Sequence, residues 1–118
     1  MQRDPEKYLF DIVDSCRFLR ELAGRRTLAD YQADRAFRFA VERGLQITGE
    51  ALLQLSRIRP DIVARISEHH RIIGFRHILV HGYDVLDHDI VWNIVDTKLP
   101  VLLTEAEAIL AELGRNQG

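Results

Sequence analysis

The sequence predicts an all-α protein, an up-and-down bundle of four to five helices. Three observations carry this. Apolar residues recur at the 3.6-residue period through the long segments, helix-capping residues punctuate them, and no stretch alternates in the two-residue rhythm of a strand. With 118 residues the chain suits a single domain, residues 1–118, able to bury one modest core.

Asp4-Pro5 opens the first helix, since Asp caps a helix start and Pro fits its first position. Leu9, Ile12, Val13, Cys16, Leu19 and Ala23 then form one stripe, ended by Gly24. Cys16 lies in that stripe and reads as a core thiol. Thr27 and Asp30 resemble a capping box opening a second, long helix through about Arg57, with Phe37, Ala40, Val41, Ile47, Ala51, Leu52 and Leu55 on its apolar side. Gly44 and Gly49 interrupt it without proline, which suggests a bend or a close helix contact. Pro60 breaks that helix. Asp61 begins a third, carrying Ile62, Ile66, Ile72, Ile73 and the run from Gly74 to Tyr83, with Gly82 as its stop. Asp87 or Asp89 caps a fourth, which Pro100 must kink or restart before Val101, Leu102, Ala106, Ile109, Leu110 and Leu113.

Composition narrows the function classes. Hydrophobic residues make up 47% and charged residues 29%, which fits a folded soluble protein and not a disordered one. No apolar run approaches the roughly 20 residues of a membrane span, and the polar start does not have a signal-peptide pattern. A single cysteine leaves no internal disulfide, so a cytoplasmic setting is expected. Fourteen of the sixteen cations are Arg, a side chain suited to phosphate, although most of them read as solvated helix faces. Residues 84–118 hold two basic and seven acidic side chains, which argues against wholesale coating by nucleic acid and for a local cleft if a polyanion binds.

All five histidines, at 69, 70, 77, 81 and 88, fall in one stretch, and His is the side chain that titrates near neutral pH. Arg76 and His81 suit cleavage of an RNA phosphodiester. A His takes the 2′-hydroxyl proton or protonates the leaving oxygen, while an Arg holds the phosphate as charge builds. On a straight helix these two lie about 140° apart, so their convergence needs a bend or a second copy of the chain. Tyr83 can hydrogen-bond a phosphate or stack on a base. Arg43 and Glu50, seven residues apart, are nearly superimposed on the second helix. A half-buried carboxylate paired with an Arg is expected there, either as a structural ion pair or as an orienting group for a site. His77 and His81 also have the i, i+4 spacing of zinc ligands, with Asp84 or His88 as a third. Without a following Glu or a cysteine pair, no metal or cofactor is expected.

The pattern Gly74-x-Arg76-x-x-x-x-His81-x-Tyr83 resembles the R-x4-H-x-Y motif of HepT-like HEPN proteins, the toxin halves of MNT–HEPN toxin–antitoxin pairs. Asp4, Arg35, the stretch Ile47-Thr48-Gly49-Glu50-Ala51, Pro60, Val91-Trp92 and Leu99-Pro100 follow the family pattern in order, so the resemblance covers nearly the whole chain. It implies an all-α bundle that forms a homodimer, bringing two motifs to a shared cleft. It also implies metal-independent ribonuclease activity with Arg76 and His81 as the catalytic pair, and Tyr83 as the tyrosine adenylylated by a cognate MNT nucleotidyltransferase antitoxin. His77 stands where the family usually has Asn. It can still donate a hydrogen bond or supply a second titrating group, and with Glu50 it forms the supporting set. The alternative is a non-catalytic, nucleotide-binding or regulatory partner of a nucleotidyltransferase.

Overall fold

Capping chemistry sets the boundaries of the helices. The computed structural model describes residues 4–81 and 86–117. The first helix, α1 (Pro5–Ala23), starts where the Asp4 carboxylate accepts the Glu6 N–H at 2.9 Å, and it ends at Gly24, whose φ of 45° is costly for any side chain. The predicted stripe faces inward, with Leu9, Ile12, Val13, Cys16 and Leu19 buried. Cys16 is sealed in the core, and burial pushes its thiol up to about 12, so it is no nucleophile near neutral pH.

The long second helix expected from Thr27 to Arg57 is instead two. Thr27 and Asp30 do form a reciprocal capping box, which opens α2 (Leu28–Ala33). The chain then breaks at Asp34, in extended conformation, and α3 (Arg35–Ile58) restarts with the Asp34 carboxylate accepting the Phe37 N–H at 3.1 Å. A short acidic side chain competes well for a free helix N–H, so Asp34 caps a new helix in place of continuing the old one. The break has a packing consequence. Tyr31, fully buried on α2, and Phe37 on α3 both reach Trp92, with ring centroids 5.8 Å away in each case, and the Tyr31 hydroxyl donates to Glu42 at 3.1 Å.

α1 crosses α3 closely because Gly44 has no side chain: a Cβ there would meet Leu19 Cδ2 at 2.5 Å. Beside that crossing the buried hydroxyls of Ser15 and Thr48 lie 2.7 Å apart. One donates to the other, and the second donates to a helix carbonyl, at Gly44 or Ile12. Ile47, assigned by sequence to the apolar side, is 41% exposed and lines an open cleft.

The third predicted helix is also split. α4 (Pro60–Val63) is a single turn, and α5 (His69–His81) begins after Glu68, whose φ of 57° no helix tolerates. The turn between them is tied to the C-terminal helix: the Ser67 N–H and hydroxyl both donate to Glu105, and Glu68 pairs with Lys98 at 2.9 Å. Gly82, the expected stop, lies outside the described residues. Asp87 caps α6 (His88–Asn93) as expected, accepting from the N–H groups of Asp89 and Ile90. The helical path then widens through a π segment (Ile94–Lys98) and continues as α7 (Leu99–Gln117). Pro100 explains the widening. It has no N–H for the Asp96 carbonyl, and its ring would crowd that carbonyl in a regular α-helix.

The protein is thus an all-α bundle with four long helical runs and two short helices among the described residues. α1 packs on α3 and α7, and α5 lies along α3. No helix among the described residues is long and apolar enough to cross a membrane.

Removing the Asp34 cap tests the break between α2 and α3. Asp34→Ala is expected to lower stability by about 1 kcal/mol in urea denaturation, the usual cost of an N-cap, and an unchanged midpoint would show that the carboxylate does not hold the helix start.

Candidate active site

The site grows from one glycine. At Gly49 the α3 backbone approaches α5 so closely that a Cβ would stand 2.6 Å from the Cβ of Arg76. Any larger residue would push α5 away. With the helices this close, the Arg76 side chain lies over the next α3 residue, Glu50, and its Nε is 2.6 Å from Glu50 Oε2. Both atoms are shut off from solvent and neither has another polar partner, so each depends on the other. The contact is a close ion pair and not a straight hydrogen bond.

Glu50 is braced in turn. Gln54, one turn further along α3, donates its amide to Glu50 Oε1 at 3.0 Å. That hydrogen bond holds the Glu50 carboxyl below its ordinary range against the upward push of partial burial, and the Arg76 charge acts in the same downward direction. Glu50 is therefore ionised at neutral pH. The partner expected from sequence spacing was Arg43, but the Arg43 guanidinium donates to Gln46 at 3.2 Å instead. The correction has a simple cause: the α3–α5 contact, invisible to spacing within one helix, brings a better-placed arginine from another element.

Arg76 is about a quarter exposed, and the guanidinium atom that meets Glu50 is the solvent-shielded Nε. It lines a cleft of about 370 Å³ together with Tyr8, Asp11, Arg43, Gln46 and Glu50. A guanidinium held through Nε retains the two Nη groups with which arginine grips a phosphate through parallel hydrogen bonds.

His81 stands elsewhere. α5 is continuous from His69 to His81, so the angular separation from Arg76 persists, and His81 is exposed while Arg76 turns toward α3. Its neighbour is His77, one turn earlier, with ring centroids 4.7 Å apart. Within one chain, then, the structure brings together Arg76 with Glu50, and His77 with His81, as two separate pairs. His69 and His70 pack against each other at the opposite end of α5, with their rings tilted, and His88 packs edge-on against Tyr31. No three His, Cys, Asp or Glu side chains form a metal-holding group among the described residues. Tyr83, the residue assigned to modification or RNA contact, lies outside the described residues, as does Asp84. Sequence reasoning passed over Gln54, although its i, i+4 spacing from Glu50 was a usable signal.

The class of protein follows from this fold together with comparison to known families. The chain belongs to the HepT-like ribonuclease family, whose model matches residues 12–109. It is a ribonuclease of that family. Among its relatives is the probable ribonuclease HepT of Thermococcus cleftensis, 28% identical over 113 residues and covering 92% of this chain and 98% of that protein. A candidate RNase of Methanocaldococcus jannaschii is 27% identical over 108 residues, covering 92% of this chain and 98% of its own length. Another, from Caldanaerobacter subterraneus, is 28% identical over 108 residues, covering 92% and 96% respectively. No solved structure matches the chain significantly.

The close approach at Gly49 is testable by itself. Gly49→Ala should cost about 1–3 kcal/mol in chemical denaturation, because the added methyl has nowhere to go beside the Arg76 Cβ; stability equal to wild type would show that α5 is free to shift.

Proposed function

We propose that this chain is the ribonuclease toxin of a toxin–antitoxin pair, and that it cuts RNA without a metal ion, with Arg76 and His81 as its catalytic residues. The observation that supports it best is the Arg76 guanidinium, anchored through Nε on Glu50, partly exposed and lining a cleft. In this reading the Nη groups hold the scissile phosphate. The 2′-oxygen attacks phosphorus, the bond from phosphorus to the 5′-oxygen breaks, one proton leaves the 2′-hydroxyl and another is delivered to the 5′-oxygen. The products are a 2′,3′-cyclic phosphate and a 5′-hydroxyl.

Arg76 and His81 face apart on α5, so the working unit is a homodimer in which two motifs share a cleft and two His81 side chains divide the proton transfers. Exposed apolar side chains support an association of this kind: Phe10 and Phe18 on α1, Phe39 and Ile47 on α3, and Ile78 on α5. His77, whose ring lies beside that of His81, orients it or carries a second proton. The whole chain acts as one such domain in the cytoplasm. A cognate MNT nucleotidyltransferase silences it by adenylylating Tyr83, adding negative charge and bulk where RNA phosphate sits.

Two measurements test this. His81→Ala should slow RNA cleavage by about 100-fold or more while the thermal melt is kept, and cleavage by the wild type should persist in excess chelator. Undiminished cleavage by the variant, or loss of wild-type cleavage on chelation, contradicts the mechanism. Co-expression with a cognate MNT nucleotidyltransferase should raise the intact mass of this chain by one or more adenylyl groups, and Tyr83→Phe should abolish the gain; a gain that survives in that variant places the modification elsewhere.

A further inference from the structure

The Arg76 guanidinium is held through its Nε, and the residues that hold it there lie outside the R-x4-H-x-Y motif. Glu50 takes Nε at 2.6 Å, and Gln54 fixes the other carboxylate oxygen at 3.0 Å. An arginine side chain in solution loses considerable rotamer freedom when it settles on a phosphate, and a preset guanidinium avoids that loss at the moment of reaction. The choice of Nε matters. Had the carboxylate taken an Nη edge, the fork that matches a phosphate would be partly occupied. Arg43 and Asp11 also line the cleft, where Arg43 donates to Gln46 and Asp11 accepts from Lys7.

We propose that Gln54 and Glu50 form a two-step positioning relay for Arg76: Gln54 sets the Glu50 carboxylate, and the carboxylate fixes the guanidinium by its Nε edge so that both Nη groups meet the RNA phosphate. This rests on the reading of Arg76 as the phosphate-binding group. Gln54 and Glu50 are positioning residues and touch no reacting atom. The relay makes its contribution in the transition state, where charge on the phosphoryl oxygens grows, so its loss appears in kcat more than in KM.

The test is a set of variants assayed on one RNA substrate with the full-length protein. Glu50→Ala should lower kcat by about 10- to 100-fold with KM changed less than about threefold, in the range of other supporting-residue losses. Glu50→Gln keeps an acceptor oxygen for Nε and should retain several-fold more activity than Glu50→Ala. Gln54→Ala should fall between wild type and Glu50→Ala. In an Arg76→Ala background, adding Glu50→Ala should cost nothing further, because the group it positions is gone. If Glu50→Ala unfolds, the Glu50→Gln and Gln54→Ala pair decides the matter, each read against its own thermal melt. Wild-type kcat in the Glu50 and Gln54 variants, with Arg76→Ala inactive, overturns the relay and leaves the Arg76 reading standing. A further loss from Glu50→Ala on top of Arg76→Ala also overturns it. Wild-type cleavage by Arg76→Ala overturns the Arg76 reading itself.

Discussion

At Gly49 the backbone of α3 meets the Cβ of Arg76 with no side chain between them, and the candidate site depends on that contact. It fixes the separation of two helices at the point where one carries an arginine and the other a glutamate. Two charges held this close with their inner atoms away from water attract strongly, whereas the same pair on an open surface would contribute little. About a quarter of the Arg76 side chain stays exposed, and the residue lines the cleft. One side of Arg76 is structural, and the other is the one proposed for chemistry.

The rest of the fold keeps α3 where this contact needs it. Gly44 lets α1 approach, the Ser15–Thr48 hydroxyl pair satisfies the polar groups buried beside it, and Tyr31, Phe37 and Trp92 tie α2, α3 and α6 together. α5 is anchored differently. Its buried side chains are Ile72 and Phe75, its remaining apolar residues being half-buried or exposed, and the turn before it is pinned by Ser67 to Glu105 of α7 and by Glu68 to Lys98 of the π segment. A helix with so little buried surface of its own relies on the Gly49 approach for its position, and the functional motif sits on that helix. This fits the general pattern in which functional segments come from the less deeply packed parts of a fold.

Much of this was legible in the sequence. The apolar stripe of α1, the Asp4 and Thr27 caps, the stop at Gly24, the Asp87 cap and the disturbance at Pro100 follow from local chemistry, and local chemistry decides them in the structure. The breaks at Asp34 and Glu68 were not foreseen, for different reasons. Asp34 can cap a helix by its own chemistry, but the same residue also fits a helix surface, and burial of Tyr31 and Phe37 around Trp92 favours the break. Glu68 adopts a left-handed backbone because Lys98 and Glu105, distant in sequence, hold its surroundings. The site shows the same division. The motif marked Arg76 and His81, and the interrupting glycines suggested a close contact, but spacing along α3 pointed Glu50 at Arg43. Which arginine a carboxylate meets is a tertiary fact, and only packing of α5 on α3 supplies it.

The central claim is that Arg76 works as a two-sided guanidinium, one edge for Glu50 and the other for RNA. Arg76→Lys tests it most directly, because lysine keeps the positive charge and the attraction to Glu50 but offers a single ammonium in place of a fork. The account predicts a chain that melts like the wild type and cleaves RNA on the order of 100-fold more slowly, the usual cost of losing a fixed donor to a developing oxyanion. A lysine variant that cleaves at the wild-type rate would contradict it, since charge alone would then suffice.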